Sequence, residues 1–141
     1  MNENKPVTIL MADDDADDRV LVQDAMVASR LPGEMRFVED GKQLLDYLHR
    51  CGKYEYEDRY PDPDLVILDL NMPRIDGLEA LEAMKSGADL KDIPVVVLTT
   101  SRAEADAVKA RQFGAESFMT KPSSYDELLE VTRAIVEVWF S

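Results

Sequence analysis

The stretch Leu65-Val66-Ile67-Leu68-Asp69-Leu70-Asn71-Met72-Pro73-Arg74-Ile75-Asp76-Gly77 decides the fold. Leu65 to Leu70 reads as a strand buried on both faces, because its residues are continuously apolar around one aspartate. Asn71 to Asp76 is a turn, and a helix is expected from Gly77 to about Ser86. The result is a strand that ends in a carboxylate, a short turn and a helix.

The same unit recurs on either side. Upstream, Val7 to Ala12 is an apolar strand followed by a helix over Asp15 to Arg30, with Leu21, Val22, Ala25 and Met26 spaced for one face. Leu31-Pro32-Gly33 stops that helix. Met35 to Glu39 is a short second strand, and Asp40 caps a helix reaching about Cys51, buried through Leu44, Leu45 and Leu48. Gly52 to Asp64 is polar, aromatic and proline-bearing, and reads as a long exposed loop. Downstream, Pro94 to Thr99 is the fourth strand and Ala103 to Phe113 the fourth helix, which Gly114 can end in a left-handed conformation. Ser117 to Thr120 is a short fifth strand, and Ser124 to Trp139 the last helix.

Strict alternation of strand and helix argues for a parallel sheet covered on both faces. Right-handed crossovers leave few topologies, and the flavodoxin-like (βα)5 three-layer sandwich with strand order 2-1-3-4-5 is the common one at this size. The 141 residues suit a single domain over 1–141 with a core of about 7–139. No linker or effector domain is expected after the last helix.

Composition narrows the function. The net charge is −13, which disfavours nucleic-acid binding, since phosphate contact needs clustered Lys and Arg. Such a chain favours cations and basic partner surfaces, although most of its 29 acidic residues need do no more than keep it soluble. No apolar run approaches the roughly 18 residues of a membrane span, and Met1 to Pro6 lacks the features of a signal peptide. The single cysteine, Cys51, has no partner in the chain and no base motif beside it. A cytoplasmic protein is expected. The one histidine, His49, lies in the second helix, away from the strand ends that matter below.

In sheets of this kind ligands bind outside the carboxyl ends of the strands. Those ends carry Asp13-Asp14-Asp15, Asp69-Leu70-Asn71, Thr99-Thr100-Ser101 and Thr120-Lys121-Pro122. Each has an ordinary explanation. Asp15, Asp17 and Asp18 can cap a helix or meet its positive end, Asp69 can initiate a turn, Thr99 and Thr100 can be strand residues, and Lys121-Pro122 can be loop. Their convergence on one edge calls for a common cause. Clustered carboxylates repel unless a cation joins them, and a hard dication with oxygen ligands answers that need. One carboxylate can then act as nucleophile toward a phosphoryl group, while metal, lysine and hydroxyl neutralise the transferred oxygens.

These residues resemble the response-regulator receiver domains of two-component signalling over essentially the whole chain. The resemblance rests on Ile9-Leu10-Met11-Ala12-Asp13-Asp14, Val66 to Pro73 with Asp76-Gly77, Pro94 to Thr100, and Phe118-Met119-Thr120-Lys121-Pro122. It implies that Asp69 is the phospho-acceptor. It also implies that Asp14 ligates Mg²⁺ (or Mn²⁺) directly, that Asp13 acts mainly through a bound water, that Asp69 shares the metal, and that Asn71 offers its backbone carbonyl. Thr99 would be the switch hydroxyl, Lys121 the phosphoryl-pairing lysine, Phe118 the switch aromatic, and the Lys121–Pro122 bond cis. The implied partner is a sensor histidine kinase, phytochrome-type or hybrid, or a histidine phosphotransfer protein.

Phosphorylation would draw Thr99 inward, let Phe118 fill the vacated space, and move the surface of the fourth helix, fifth strand and fifth helix. Thr100 is larger than the residue such domains often carry there, and is expected to slow loss of phosphate. The apolar end Val136 to Phe140 suggests a homodimer contact. Catalysis of reactions other than its own phosphorylation and dephosphorylation is not expected. A haloacid-dehalogenase-type phosphohydrolase would need an acid where Asn71 stands. A flavin module would need a phosphate loop where three aspartates stand. A degenerate docking receiver would not keep every site position.

Overall fold

The computed structural model describes residues 6–56 and 59–140, so the chain's extreme ends and part of the 52–64 segment lie outside the described residues. Five strands, β1 (Val7–Ala12), β2 (Gly33–Val38), β3 (Leu65–Leu68), β4 (Val95–Thr99) and β5 (Ser117–Thr120), form one parallel sheet in the order β2-β1-β3-β4-β5. Between and after them run α1 (Ala16–Ala28), α2 (Gly41–Leu48), α3 (Gly77–Ser86), α4 (Glu104–Gln112) and α5 (Tyr125–Phe140). The expected flavodoxin-like topology is the observed one.

Strand alternation divides the interior into two cores. Leu10, Ala12, Val66, Leu68, Val95 and Val97 face α2, α3 and Ala110 of α4. Ile9, Met11, Leu65, Ile67, Val96 and Leu98 face α1 and α5. Both faces of β1, β3 and β4 are therefore dry, which is why their sequences are apolar without alternation.

Several boundaries differ from the sequence reading. The first helix ends at Ala28 because Arg30, with φ 62°, takes the left-handed turn. Leu21 is 44% exposed rather than part of the core face. The third strand stops at Leu68, where the chain turns toward the pocket. Gly114, with φ 103°, ends the fourth helix as expected. Among the described residues no peptide bond is cis, Lys121–Pro122 included, contrary to what the resemblance implies; trans is the lower-energy isomer of an X–Pro bond by about 0.5–1 kcal/mol.

The largest departure is the 52–64 segment. Gly52–Glu55 forms a turn of 3-10 helix, and Tyr54 is buried rather than exposed. The Tyr54 ring packs tilted against Tyr47 and edge-on against Tyr60, with centroids 5.1 and 4.9 Å away. The Tyr47 hydroxyl donates to the Pro61 carbonyl at 2.7 Å, and Arg50 donates to the Tyr60 carbonyl and pairs with Asp62. Three aromatic rings separated in sequence bury one another, and a composition that looks loop-like cannot reveal it.

Candidate functional site

The pocket forms where β1, β3, β4 and β5 end. The Asp13 amide donates to the Val38 carbonyl, the Asp69 amide to Ala12, and the Lys121 amide to Thr99 at 2.7 Å, so the ladder itself sets Asp13 beside Asp69 and places Lys121 at the same edge one strand further on, past β4. Gly77 lets the following helix come close: a Cβ there would sit 2.4 Å from the Asp69 carbonyl oxygen and 2.5 Å from the Leu70 Cα.

Asp13 is fully buried, Asp69 is buried, and Asp14 is exposed at the rim. One carboxylate oxygen from each of the three lies within 4.8 Å of the others. Asp13 Oδ1 accepts from the Asp15 amide at 2.9 Å, and Asp69 Oδ1 from the Asn71 amide at 3.2 Å. Lys121 Nζ reaches Asp13 Oδ2 at 2.8 Å, Asp18 Oδ2 at 2.6 Å and Asp69 Oδ2 at 3.1 Å.

The Lys121 ammonium is the partner of the buried Asp13 Oδ2, through a charge-paired contact at 2.8 Å. Burial raises the Asp13 pKa, against the lowering effect of Lys121 and the Asp15 amide. For Lys121, burial disfavours the ammonium, but bonding to Asp13 and Asp18 and the charge of Asp69 outweigh it, and its pKa is raised. Three clustered carboxylates, one of them fully buried and answered at Oδ2 only by the Lys121 ammonium, make a donor set that a divalent cation fits: hard, oxygen-only and anionic.

The hydroxyl and aromatic candidates occupy the neighbouring strand ends. Thr99 is buried, and its Oγ1 accepts from the Ser101 amide at 3.3 Å. Thr100 is exposed, and its Oγ1 accepts from Asn71 Nδ2 at 3.4 Å across the pocket mouth. Phe118 pairs with Val97 and packs, partly buried, against the same core as Val97. Thr99, two residues on from Val97, shares that face of the sheet. His49 and Cys51 are exposed, at and beyond the far end of α2.

The structure thus gathers Asp13, Asp14, Asp69 and Lys121 around one pocket, with Asn71 at its mouth and Thr99 buried at the end of the neighbouring strand β4, beside the β5 strand that carries Phe118. It also adds Asp18, which sequence reasoning assigned to the helix start. Asp15 does fill that role, accepting from the amides of Asp17 and Asp18 at 2.9 and 3.3 Å. Asp18 is different because it stands four residues before the buried Val22, on the inward stripe of α1. That spacing was the available signal.

A parallel sheet with a buried aspartate, a lysine and a cation-ready carboxylate cluster at its carboxyl edge defines a phosphoryl-accepting switch module. Residues 9–133 match the response regulator receiver domain family, and the chain belongs to it. It is 36% identical over 136 residues to response regulator Rcp1 of Synechocystis sp., covering 96% of this chain and 90% of that one. Among solved structures it resembles the phosphorylated cyanobacterial phytochrome response regulator RcpA (36% identity, TM-score 0.88, 96% of this chain and 95% of that). The Mn²⁺-bound form of Rcp1 is similar too (35% identity, TM-score 0.88, 96% of each chain). The chain is a receiver of two-component phosphorelay signalling, with a histidine kinase as its kind of partner and a pocket suited to a divalent metal. Among the described residues no helix is long and apolar enough to cross a membrane.

Proposed function

We propose that Asp69 accepts the phosphoryl group, and that the whole chain acts as a single receiver unit switched by that event. The observation that carries this reading is the Asp69 carboxylate, buried and 3.1 Å from Lys121, with an oxygen within 4.8 Å of a carboxylate oxygen of both Asp13 and Asp14. An Asp69 oxygen attacks the phosphorus of a phosphohistidine. The P–N bond breaks, its electron pair returns to the imidazole, and that ring takes up a proton.

Asp13, Asp14, Asp69 and the Asn71 carbonyl would hold Mg²⁺, or Mn²⁺ in its place, which supplies charge neutralisation for the phosphoryl oxygens. Lys121 pairs with one of those oxygens, and the Thr99 hydroxyl gives up its local bond to reach another. Phe118 then follows Thr99. The α4-β5-α5 surface responds because α4 adds only Ala110 to the buried core and β5 is a half-buried edge strand. Thr100, tied to Asn71 across the mouth, slows hydrolysis of the acyl phosphate.

The similarity to phytochrome response regulators supports a phytochrome-type sensor kinase as phosphodonor; the cytoplasmic location we infer rests on the family's place in two-component signalling. Output then runs through protein contact or further relay, and the domain turns over no other substrate. The apolar end of α5 supports a homodimer: Val138 is 72% exposed beside the half-buried Trp139 and Phe140. Light scattering that finds a monomer at high concentration in both phosphorylation states removes that part.

The test of the central claim is incubation with Mg²⁺ and acetyl phosphate, followed by intact mass. Wild type is expected to gain one phosphoryl group and Asp69→Asn none. Equal modification of both proteins would overturn the assignment.

A further inference from the structure

We propose that Asp18 is a positioning residue that restrains Lys121 from full engagement with a phosphoryl group on Asp69. The inference rests on the reading of Asp69 as phospho-acceptor.

An ammonium has three N–H donors, and three carboxylates stand within 3.1 Å of Lys121 Nζ. Asp18 holds it at 2.6 Å, closer than Asp69 does. A dication held by Asp13, Asp14 and Asp69 would neutralise two of these competitors, whereas Asp18 lies outside that carboxylate cluster. Asp18 is well placed to keep its grip: it sits in the first turn of α1, its amide is capped by Asp15 Oδ1, and its side chain is only 31% exposed. Leu21, Val22, Leu98, Pro122 and Leu128 line the crevice it shares with Lys121, and so keep the local dielectric low.

A carboxylate in this position has two effects of the same sign. It draws the ammonium toward α1, away from the phosphoryl oxygens, and it sets a negative charge beside a dianionic group. Both weaken binding of the phosphoryl group. Asp17, one residue earlier, carries the same formal charge on the same helical turn and makes no contact with Lys121. It serves as the control for charge alone.

The experiment is calorimetric titration of beryllofluoride, a phosphoryl mimic, in saturating Mg²⁺ with wild type, Asp18→Asn and Asp17→Asn. Asp18→Asn is expected to bind about tenfold more tightly, equivalent to about 1.4 kcal/mol, and Asp17→Asn to match wild type. A merely structural lesion at residue 18 would weaken binding, so a gain is diagnostic. Unchanged or weaker binding by Asp18→Asn overturns the inference, as does equal tightening by Asp17→Asn. Failure of wild type itself to bind the mimic overturns the Asp69 reading, and this inference with it.

Discussion

Replacing Lys121 by methionine removes the cation that three carboxylates share. Asp13 is fully buried, and the Asp69 and Asp18 side chains are 6% and 31% exposed. Taking one partner from a buried ion pair costs about 3–5 kcal/mol, because the remaining charge is left unpaired. The Asp18 pair is partly solvated and adds no more than about 1 kcal/mol. For a domain of this size a loss of 3–5 kcal/mol lowers the melting temperature by about 10–15 °C in EDTA.

Two further dependences identify the cause. A buried carboxylate with a raised folded-state pKa, as at Asp13, binds its proton more tightly folded than unfolded. Its neutral form therefore favours folding, and stability is lost as pH rises through that pKa. The deficit of Lys121→Met is thus expected to shrink in mild acid. A dication at one hundred times its Kd adds about 2.7 kcal/mol to whichever protein binds it, and the variant, freed of the competing ammonium, should bind it more tightly. Differential scanning calorimetry across pH, with EDTA or Mg²⁺, reads all three effects. Equal melting of variant and wild type in EDTA, or a deficit that neither acid nor Mg²⁺ reduces, would refute the reasoning.

Gly77→Ala should weaken dication binding at least about tenfold, because its Cβ would displace the Asp69 carbonyl. Gly87→Ala, whose nearest contact would be 3.7 Å away, should not; titration calorimetry compares them. Burial pushes the Tyr47 phenol up to about 12 from the usual 10. The folded state therefore keeps a proton that the unfolded state releases, and stability falls by about 1.4 kcal/mol per pH unit between pH 10 and 12. Tyr47→Phe should flatten that limb in urea titrations, and an unchanged slope would argue against the assignment. Thr132 is fully buried, and its Oγ1 meets Ser29 Oγ at 2.7 Å and the Leu129 carbonyl at 3.1 Å. Thr132→Val should cost about 0.5–1.5 kcal/mol by urea denaturation, through loss of its own hydrogen bonds, since Ser29 Oγ keeps the Ala25 carbonyl as a partner at 2.7 Å.

The sequence by itself determined the five strands and the charged residues 13, 14, 69 and 121 that their ends carry to the pocket, and it pointed to the strand order as the common one at this size. Strands buried on both faces must be apolar throughout, and carboxylates placed at their ends interrupt that pattern where the chain leaves the sheet. Composition and spacing along one strand or helix carry that information locally. The tertiary structure alone decided the rest. Asp18 joins the site because α1 packs its inward stripe beside the end of β5, and Leu21 is left at the surface by the same rotation. Tyr54 is buried because Tyr47 and Tyr60 close over it from separate segments. Such contacts depend on which faces meet in space, and a linear pattern of residue types does not encode the angle at which two elements come together.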